Sequence, residues 1–406
     1  MNRRLAVAGI SGLLIASMSL SACGQRSAEP AASAPGSSST KVAKIALVAP
    51  LSGGLSAFGA GMRNSLDLAV KQANETNAVP GWQLELVAED DQASPDAGKN
   101  AATKITSDPE VIGAVGPLNS SVGQAIQPIF ESAGMALVSP ANTNPTLTKG
   151  PDLNNPKRAY QTYFRTCTTD AIQGPFAAKH LLDSGITEVA TIHDKKAYGQ
   201  GLVTAFSEAF TAGGGTVVAA ETINPDDKDF SAVVAKVKAA NPKAVYYGGE
   251  YPQSGPLSQQ MKGAGLAVPL MGGDGMYDPA YVELAGSTSE GDLVTSVGAP
   301  TESLASAQAF VDAYKAEGYK EGWAAYGMYT YDAGNAIVAA LKTSLADATD
   351  VASARQATVE ALAKVDFEGA SGRVAFDEFG DSKARVLTVY RVEGGMWKAA
   401  KTEDFQ

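Results

Sequence analysis

The chain has 406 residues, of which 43 are acidic and 32 are basic, so its formal net charge at pH 7 is −11. A surface of this charge repels the phosphate backbone, which excludes nucleic acids as its main partner. Its two cysteines and two histidines are too few for a disulfide framework, and their contexts match no metal site.

The first residues have the pattern of a secretory signal peptide. Two arginines precede an uncharged run over residues 5–20 that is short and rich in Gly, Ala and Ser. The run ends in Leu20-Ser21-Ala22-Cys23, which resembles the bacterial lipobox, where the cysteine becomes the lipidated first residue. An ordinary secretory signal with a chance cysteine is the alternative. We predict a signal peptide over 1–22, lipidation of Cys23, and an extracytoplasmic protein anchored to the cell membrane.

The segment after the signal has the composition of a tether. Residues 23–41 are mostly Ala, Ser, Pro, Gly and polar residues, which cannot bury enough apolar surface to offset the entropy lost on ordering. We therefore predict a disordered tether over 23–41. Once Cys23 carries lipid, Cys167 is the remaining cysteine, so no intramolecular disulfide is expected.

Short apolar runs then alternate with helical stretches, a rhythm typical of a parallel sheet covered by helices on both faces. The helix after the first strand has an apolar stripe with steps of three or four residues, formed by Phe58, Met62, Leu66, Ala69 and Ala73. Phe58 is either the first core residue of this stripe or an aromatic exposed at the helix start. The predicted strands are 45–49, 84–88, 111–115 and 135–139.

A second unit with the same alternation begins after Tyr163, with strands predicted at 189–193, 216–221, 244–247 and 270–272. Helical stretches at 303–316 and 328–345 follow, and a strand is predicted at 386–392. Because helices return after the second sheet, we expect the first lobe to be completed late in the chain. The result is an α/β protein of two doubly wound parallel-sheet lobes, with a ligand at the carboxyl ends of the strands.

The sequence does not carry the common enzyme motifs. It has no G-x-S-x-G elbow, H-E-x-x-H, Walker A motif, or G-x-G-x-x-G after a predicted strand. We therefore expect a protein that is not an enzyme and that uses neither a cofactor nor a metal.

Polar segments follow several predicted strands, where this fold presents groups to a cleft. Residues 116–121 begin a helix and offer hydroxyls and N–H groups to an anion, although capping by their serines is an equal alternative. Residues 139–145 offer similar groups, or form a simple Asn/Pro turn. Glu250 and Asp274 lie in glycine-rich turns, where a solvated carboxylate is the alternative. Together these groups match a zwitterion, which needs donors for its carboxylate and acids for its ammonium group.

These segments resemble the leucine-isoleucine-valine binding proteins of the branched-chain amino-acid ABC importers. The most specific stretches are SPANTNP at 139–145, QGP at 173–175, IHDK at 192–195 with Tyr198 and Gly199, KDFS at 228–231, and VYYGG at 245–249. The resemblance runs from about residue 42 to the end of the chain.

The resemblance implies a type I periplasmic-binding fold whose lobes are joined by a three-strand hinge, with crossings near Thr166, Val297 and Leu387. The first lobe is then predicted to comprise 42–166 and 298–386. The second is predicted to comprise 167–297 and 387–406.

The resemblance also implies how the ligand is held. Ser120 and Thr143 would bind its α-carboxylate. The carbonyl of Ala141 and the carboxylate of Asp274 would bind its ammonium group, and Tyr198 would close the site from the second lobe.

Three further residues take their expected place from the same resemblance. Asp170 falls at the first crossing, where the family has a carboxylate near the ligand. Phe58 and Tyr326 lie where aromatic residues line the pocket for the ligand side chain.

The sequence departs from the family at informative positions. Ala93 and Asn119 occupy the two positions of the family's first-lobe disulfide, and Asp274 replaces a longer Glu. Glu250 stands where the family usually has Tyr. If Glu250 turns to solvent, branched-chain ligands are expected. If it faces the ligand, a polar or cationic side chain is favoured. The aromatic pocket favours the outward arrangement.

The function that follows is an extracytoplasmic substrate-binding lipoprotein of an ABC importer. It would act as a monomer, bind leucine, isoleucine, valine or a related L-amino acid by lobe closure, and contact the importer's membrane subunits. A receptor for another small polar ligand, such as a polar or basic amino acid, an amide or urea, is the first alternative, and a sensory module is the second. A surface-anchored hydrolase is disfavoured because no nucleophile motif is present.

Overall fold

The computed structural model describes residues 41–405. The predicted signal peptide, the lipidation site at Cys23 and the tether up to residue 40 lie outside these residues. Lys41, which we assigned to the tether, is instead the first residue of a strand. None of the helices between residues 41 and 405 combines the length and hydrophobicity needed to cross a membrane.

The first part of the described chain alternates strands and helices. The strands are β1 (Lys41–Ala49), β2 (Trp82–Asp90), β3 (Val111–Val115), β4 (Ala136–Ser139) and β5 (Tyr163–Arg165). The helices between them are α1 (Ser56–Glu75), α2 (Pro95–Ser107), α3 (Ser120–Ser132) and the short α4 (Thr146–Lys149). All four predicted strands are present, and the predicted apolar stripe is the buried face of α1.

The next part repeats the alternation. Its helices are α5 (Asp170–Asp183), α6 (Ala197–Ala212), α7 (Ser231–Ala239), α8 (Tyr251–Gly263) and α9 (Pro279–Ala285). Its strands are β6 (Glu188–His193), β7 (Thr216–Thr222), β8 (Ala244–Gly248), β9 (Leu270–Gly272) and β10 (Leu293–Ser296).

The last part begins with helices α10 (Gln308–Glu317), α11 (Gly327–Ser344) and α12 (Val351–Leu362). Two 3₁₀ turns occupy the start of the first predicted helix, so α10 is shorter than expected. The strands that follow are β11 (Asp366–Gly369), β12 (Gly372–Ala375), β13 (Val386–Val392) and β14 (Trp397–Asp404).

These strands form two main sheets. The first is parallel throughout, in the order β2-β1-β3-β4-β5, and the second has the order β14-β13-β10-β9-β8-β6-β7 with β13 and β14 antiparallel to their neighbours. Helix α11 packs on α1 and on the first sheet, and α12 packs on α11 and on the same sheet. We call each sheet with its helices a lobe. The fold is therefore the expected α/β protein of two doubly wound lobes.

The chain passes between the lobes three times, after Arg165, after Ser296 and before Val386. The central strands β3 and β8 are buried at every position, as expected for parallel strands covered on both faces. The loops after the strands of each lobe meet at the cleft between the lobes, which is where the candidate site lies.

Candidate functional site

A small, closely packed cavity lies between the two lobes. Its lining residues are Phe58, Leu118, Asn119, Ser120, Ala141, Tyr198, Glu250, Asp274, Gly275 and Tyr326. Every one of them is buried. Of the predicted site residues, Thr143 and Asp170 are the two outside this lining, and both are buried. Thr143 lies two residues after Ala141, and Asp170 is linked to Asp274 through Gln173.

Asp274 is the most heavily hydrogen-bonded group of the cavity. It follows β9 in a 3₁₀ turn and is 1 % exposed. Its Oδ1 accepts from Gln173 Nε2 and from the Tyr198 hydroxyl, both at 2.8 Å, and its Oδ2 accepts from the Tyr326 hydroxyl at 2.8 Å. Burial raises the pKa of Asp274, and these hydrogen bonds oppose that effect because they stabilise the charged form.

The side chain of Gln173 donates hydrogen bonds to both Asp170 and Asp274. Besides its bond to Asp274, its Nε2 donates to Asp170 Oδ1 at 3.4 Å, and its Oε1 accepts from the Asp274 amide at 3.1 Å and from Thr295 Oγ1 at 3.0 Å. The amide therefore orients Asp274 from both its side chain and its backbone. Gln173 belongs to a stretch of the family resemblance, but we assigned it no role from the sequence.

Asp170 is the first residue of α5 and is fully buried. Burial, followed by repulsion from Asp274, raises the pKa of Asp170 to about 8. Its Oδ2 has no hydrogen-bond partner, and neither has the buried Oγ1 of Thr143, whose carbonyl accepts from the Asp170 amide at 2.8 Å. The Thr143 side chain opposes the rise in the pKa of Asp170 as a hydrogen-bond donor does, so the two groups face each other. Buried polar atoms in folded proteins are normally paired, and a ligand can complete the bonds of this pair.

The side chain of Arg165 holds the loop that carries Ala141 and Thr143 through hydrogen bonds to its backbone. This side chain is fully buried, and its Nη1 donates to the carbonyls of Asn142 at 2.7 Å and Asn144 at 3.0 Å, on either side of Thr143. Its Nε donates to Asp381 Oδ1 at 2.7 Å. The conformation of this loop is therefore held by buried hydrogen bonds, unlike that of a simple surface turn.

Ser120 is the first residue of α3 and is 2 % exposed. The side chain of the preceding Asn119 makes no capping bond to the helix, so the first N–H groups of α3 are available to an anion. The start of this helix and the hydroxyl of Ser120 form the donor side of the cavity.

Aromatic rings form another wall. Phe58 contacts the rings of Tyr251 and Tyr326 edge-on, with centroid distances of 5.1 Å in both pairs. Phe58 is 1 % exposed, so it is the first core residue of the α1 stripe and the alternative of an exposed aromatic is wrong. Its ring also lines the cavity.

Glu250 is 4 % exposed and lines the cavity, so the expectation that it turns to solvent is wrong. Its Oε1 accepts from Asn119 Nδ2 of the first lobe at 2.7 Å, and its Oε2 pairs with Lys196 Nζ at 2.9 Å. These two partners offset the cost of burying the carboxylate, which is why it need not reach water. The sequence did not point to Lys196.

A close backbone approach brings Lys196 and Tyr198 to the cavity. Gly199, in the first turn of α6, packs against the carbonyl of Gly248 and the carboxylate of Asp194, so closely that a Cβ atom would collide with both. A glycine is therefore required for α6 to begin at this position next to β8.

The lobes also contact each other outside the cavity lining. Asn144 Nδ2 of the first lobe donates to the carbonyl of Ala197 at 2.7 Å, and the Tyr251 hydroxyl of the second lobe donates to the carbonyl of Gly54 at 2.6 Å. The cavity is thus enclosed by hydrogen bonds between the lobes.

A second, larger cavity lies near the hinge and includes Tyr277, Trp323, Met328, Tyr390 and Trp397 in its lining. Most of its surface is apolar, and none of the residues around it carries an unpaired buried polar atom. Its lining has two carboxylates, Glu283 and Glu302, but no basic side chain to pair with the carboxylate of a zwitterion. Within residues 41–405, no cluster of three or more His, Cys, Asp or Glu side chains is arranged to hold a metal ion.

Comparison with known proteins gives matches over most of the chain. The family model described as periplasmic binding protein matches residues 42–396. The leucine-, isoleucine-, valine-, threonine- and alanine-binding protein of Pseudomonas aeruginosa is 34% identical over 349 residues, which are 86% of this chain and 89% of that protein.

Two solved structures have similar folds. A leucine-binding protein from Thermotoga maritima has a TM-score of 0.78 at 29% identity and covers 89% of this chain and 98% of its own. A branched-chain amino acid transporter substrate-binding protein from Streptococcus pneumoniae, in complex with isoleucine, has a TM-score of 0.78 at 27% identity and covers 89% and 99%.

Proposed function

This chain belongs to the periplasmic binding protein family, within the leucine-isoleucine-valine binding proteins, and from this premise we propose that it captures a small L-amino acid between its lobes for an ABC importer. Members of this family act outside the cytoplasm and bind substrates rather than transform them. We expect the ligand to leave chemically unchanged.

The observation that carries the proposal is the opposite character of the two sides of one cavity. Ser120 and the start of α3 offer donors on one side. Asp274 and the carbonyl of Ala141 offer acceptors on the other, and Thr143 and Asp170 lie buried behind this lining. A zwitterion satisfies both sides at once, whereas a ligand with a single charge leaves one side unpaired.

The relatives support an amino acid as the ligand. The Pseudomonas protein is named for five amino acids, and the Streptococcus structure contains isoleucine. The match covers 86% of this chain for the Pseudomonas protein and 89% for the Streptococcus structure.

Entry to the site requires the lobes to move. Because every lining residue is buried, a ligand reaches the cavity only when the bonds between the lobes, such as Asn144 to Ala197, are broken. We propose that the lobes open and close about the three crossings, and that the ligand stabilises the closed form by pairing atoms that the empty cavity leaves unpaired.

We also propose that Cys23 is lipidated and holds the protein at the outer face of the cell membrane. Support comes from the lipobox-like stretch that ends the apolar run. The variant Cys23→Ala should lose the acyl chain, measured by mass spectrometry, and should leave the membrane fraction. A variant that keeps an acyl chain would disprove the anchor.

A thermal-shift screen of the full chain against the L-amino acids tests the binding proposal. A ligand that binds only the folded state raises the unfolding midpoint in proportion to the logarithm of its concentration over its dissociation constant. We expect one or a few L-amino acids to raise the midpoint and small-angle scattering to show compaction with them. A screen in which no amino acid changes the midpoint would disprove the proposal.

A further inference from the structure

The residues that hold the amino-acid head group leave one part of the cavity for the ligand side chain. This part is lined by Phe58, Leu118 and Tyr326 on its apolar side and by Asn119 and Glu250 on its polar side. The two polar residues come from different lobes and contact each other. Both stand where the family resemblance places other residues, so the pair is a feature of this chain.

The charge of Glu250 is already compensated. One carboxylate oxygen accepts from Asn119 Nδ2 at 2.7 Å, and the other pairs with Lys196 Nζ at 2.9 Å. A cationic ligand side chain would therefore have to displace Lys196. Asp194 lies next to this pair, and burial followed by repulsion from Glu250 raises its pKa, which favours its neutral form.

One polar atom of the Asn119 side chain has no hydrogen-bond partner. Because its Nδ2 must face the carboxylate of Glu250, its Oδ1 is the free acceptor, and this oxygen is buried without a hydrogen-bond partner. The whole residue is 4 % exposed. An aliphatic side chain packed here would leave the oxygen unpaired, whereas a hydroxyl or carboxamide would donate to it.

We infer that this site prefers L-amino acids whose neutral side chain carries a hydrogen-bond donor, such as a hydroxyl or a carboxamide, over aliphatic isosteres. The donor pairs with Oδ1 of Asn119 while Glu250 and Lys196 hold the Asn119 amide in place. This inference rests on the proposed function, since it names the class of amino acid that the same cavity accepts.

Isosteric ligand pairs test the inference on the native chain. Threonine and valine differ by a hydroxyl in place of a methyl group, and asparagine and leucine differ in a similar way. Calorimetry should show threonine binding on the order of ten-fold tighter than valine, because valine leaves a buried acceptor unpaired. Valine binding as tightly as threonine, and leucine as tightly as asparagine, would overturn the inference while leaving amino-acid binding intact.

A variant of Asn119 tests whether this residue causes the preference for a hydrogen-bond donor. Asn119→Leu has similar size but no acceptor, so the ratio of valine to threonine dissociation constants should fall to about one or below. The matched control is Asn155→Leu, at an exposed position outside the cavity, which should keep the native ratio. A native ratio in Asn119→Leu would overturn the inference.

Two further results of the calorimetry would separate failure of the inference from failure of the proposed function. If lysine binds tightest to the native chain, Glu250 accepts a cation and the inference fails. If no amino acid binds to the native chain, the proposed function fails and the inference fails with it.

Discussion

The hydroxyl of Tyr326, in the first lobe, donates a hydrogen bond of 2.8 Å to Oδ2 of Asp274, in the second lobe. The same aspartate accepts from Gln173 and Tyr198 through its other oxygen. Asp274 is therefore both a contact between the lobes and the acid best oriented toward the cavity. The bonds that enclose the cavity and the groups proposed to hold the ligand are partly the same.

The variant Tyr326→Phe should weaken ligand binding by about 1.5–3 kcal/mol, because it removes one hydrogen bond to a carboxylate and keeps the ring against Phe58. Tyr331→Phe is the matched control, since the Tyr331 hydroxyl bonds to Gln72 on the far side of the lobe. Calorimetry with the ligand found in the screen measures both. Equal losses in the two variants would show that the bond to Asp274 does not contribute.

The variant Asp274→Ala should lose about 2–5 kcal/mol of binding free energy, because it leaves the ligand ammonium group without its charged partner. Ser120→Ala removes a neutral hydroxyl and should lose about 0.5–1.5 kcal/mol. Dissociation constants measured by calorimetry compare the two. Equal losses would contradict the assignment of Asp274 as the main ammonium partner.

The ligand-free protein should lose stability as the pH rises. The pKa of Asp170 is raised to about 8 in the folded chain from an ordinary value of 3.8, so between these values the folded state binds more protons than the unfolded state. Its contribution to stability is therefore fully present below about pH 4 and is lost as the pH rises through about 8.

The variant Asp170→Asn cannot titrate at this position, so its stability should fall less between pH 5 and pH 8 than that of the native chain. Urea unfolding at the two pH values measures the difference. An identical fall in both proteins would show that Asp170 is ionised in the folded, ligand-free chain.

The variant Arg165→Met should destabilise the fold by about 3–5 kcal/mol, because it leaves Asp381 buried without its main partner and frees the loop around Thr143. Arg373→Met is the matched control, since the pair of Arg373 and Asp366 is largely exposed and should contribute little to stability. Chemical unfolding measures both. Similar losses would contradict the role given to the buried pair.

The sequence was sufficient for two interior strands that are buried at every position, although β10, which is equally buried, was not predicted. Strands β3 and β8 form continuous apolar runs, and such runs are typical of parallel sheets. Strand β14 was not predicted, because it lies at the edge of the second sheet and its residues are at least partly exposed. It therefore has no apolar face that the sequence could reveal. Strand β5, with three residues, was also not predicted.

The candidate site was predictable where a residue follows a strand. Asp274 and Glu250 were noticed because glycine-rich turns place them at the carboxyl ends of strands. The partners Lys196 and Gln173 were not, because their roles depend on which side chains the fold brings together from distant parts of the chain. The burial of Arg165 could not be predicted either, since a charged residue at the end of a strand is usually exposed.

The most direct test of the central claim is calorimetry of the full chain with the L-amino acid that gives the largest thermal shift, with its N-acetyl derivative and with its amide. The N-acetyl form lacks the ammonium group and the amide lacks the carboxylate, so each should leave one side of the cavity unpaired. We predict one binding site for the L-amino acid and binding of both derivatives weaker by roughly 30-fold or more. Equal affinity for either derivative would contradict the capture of a zwitterion between the lobes.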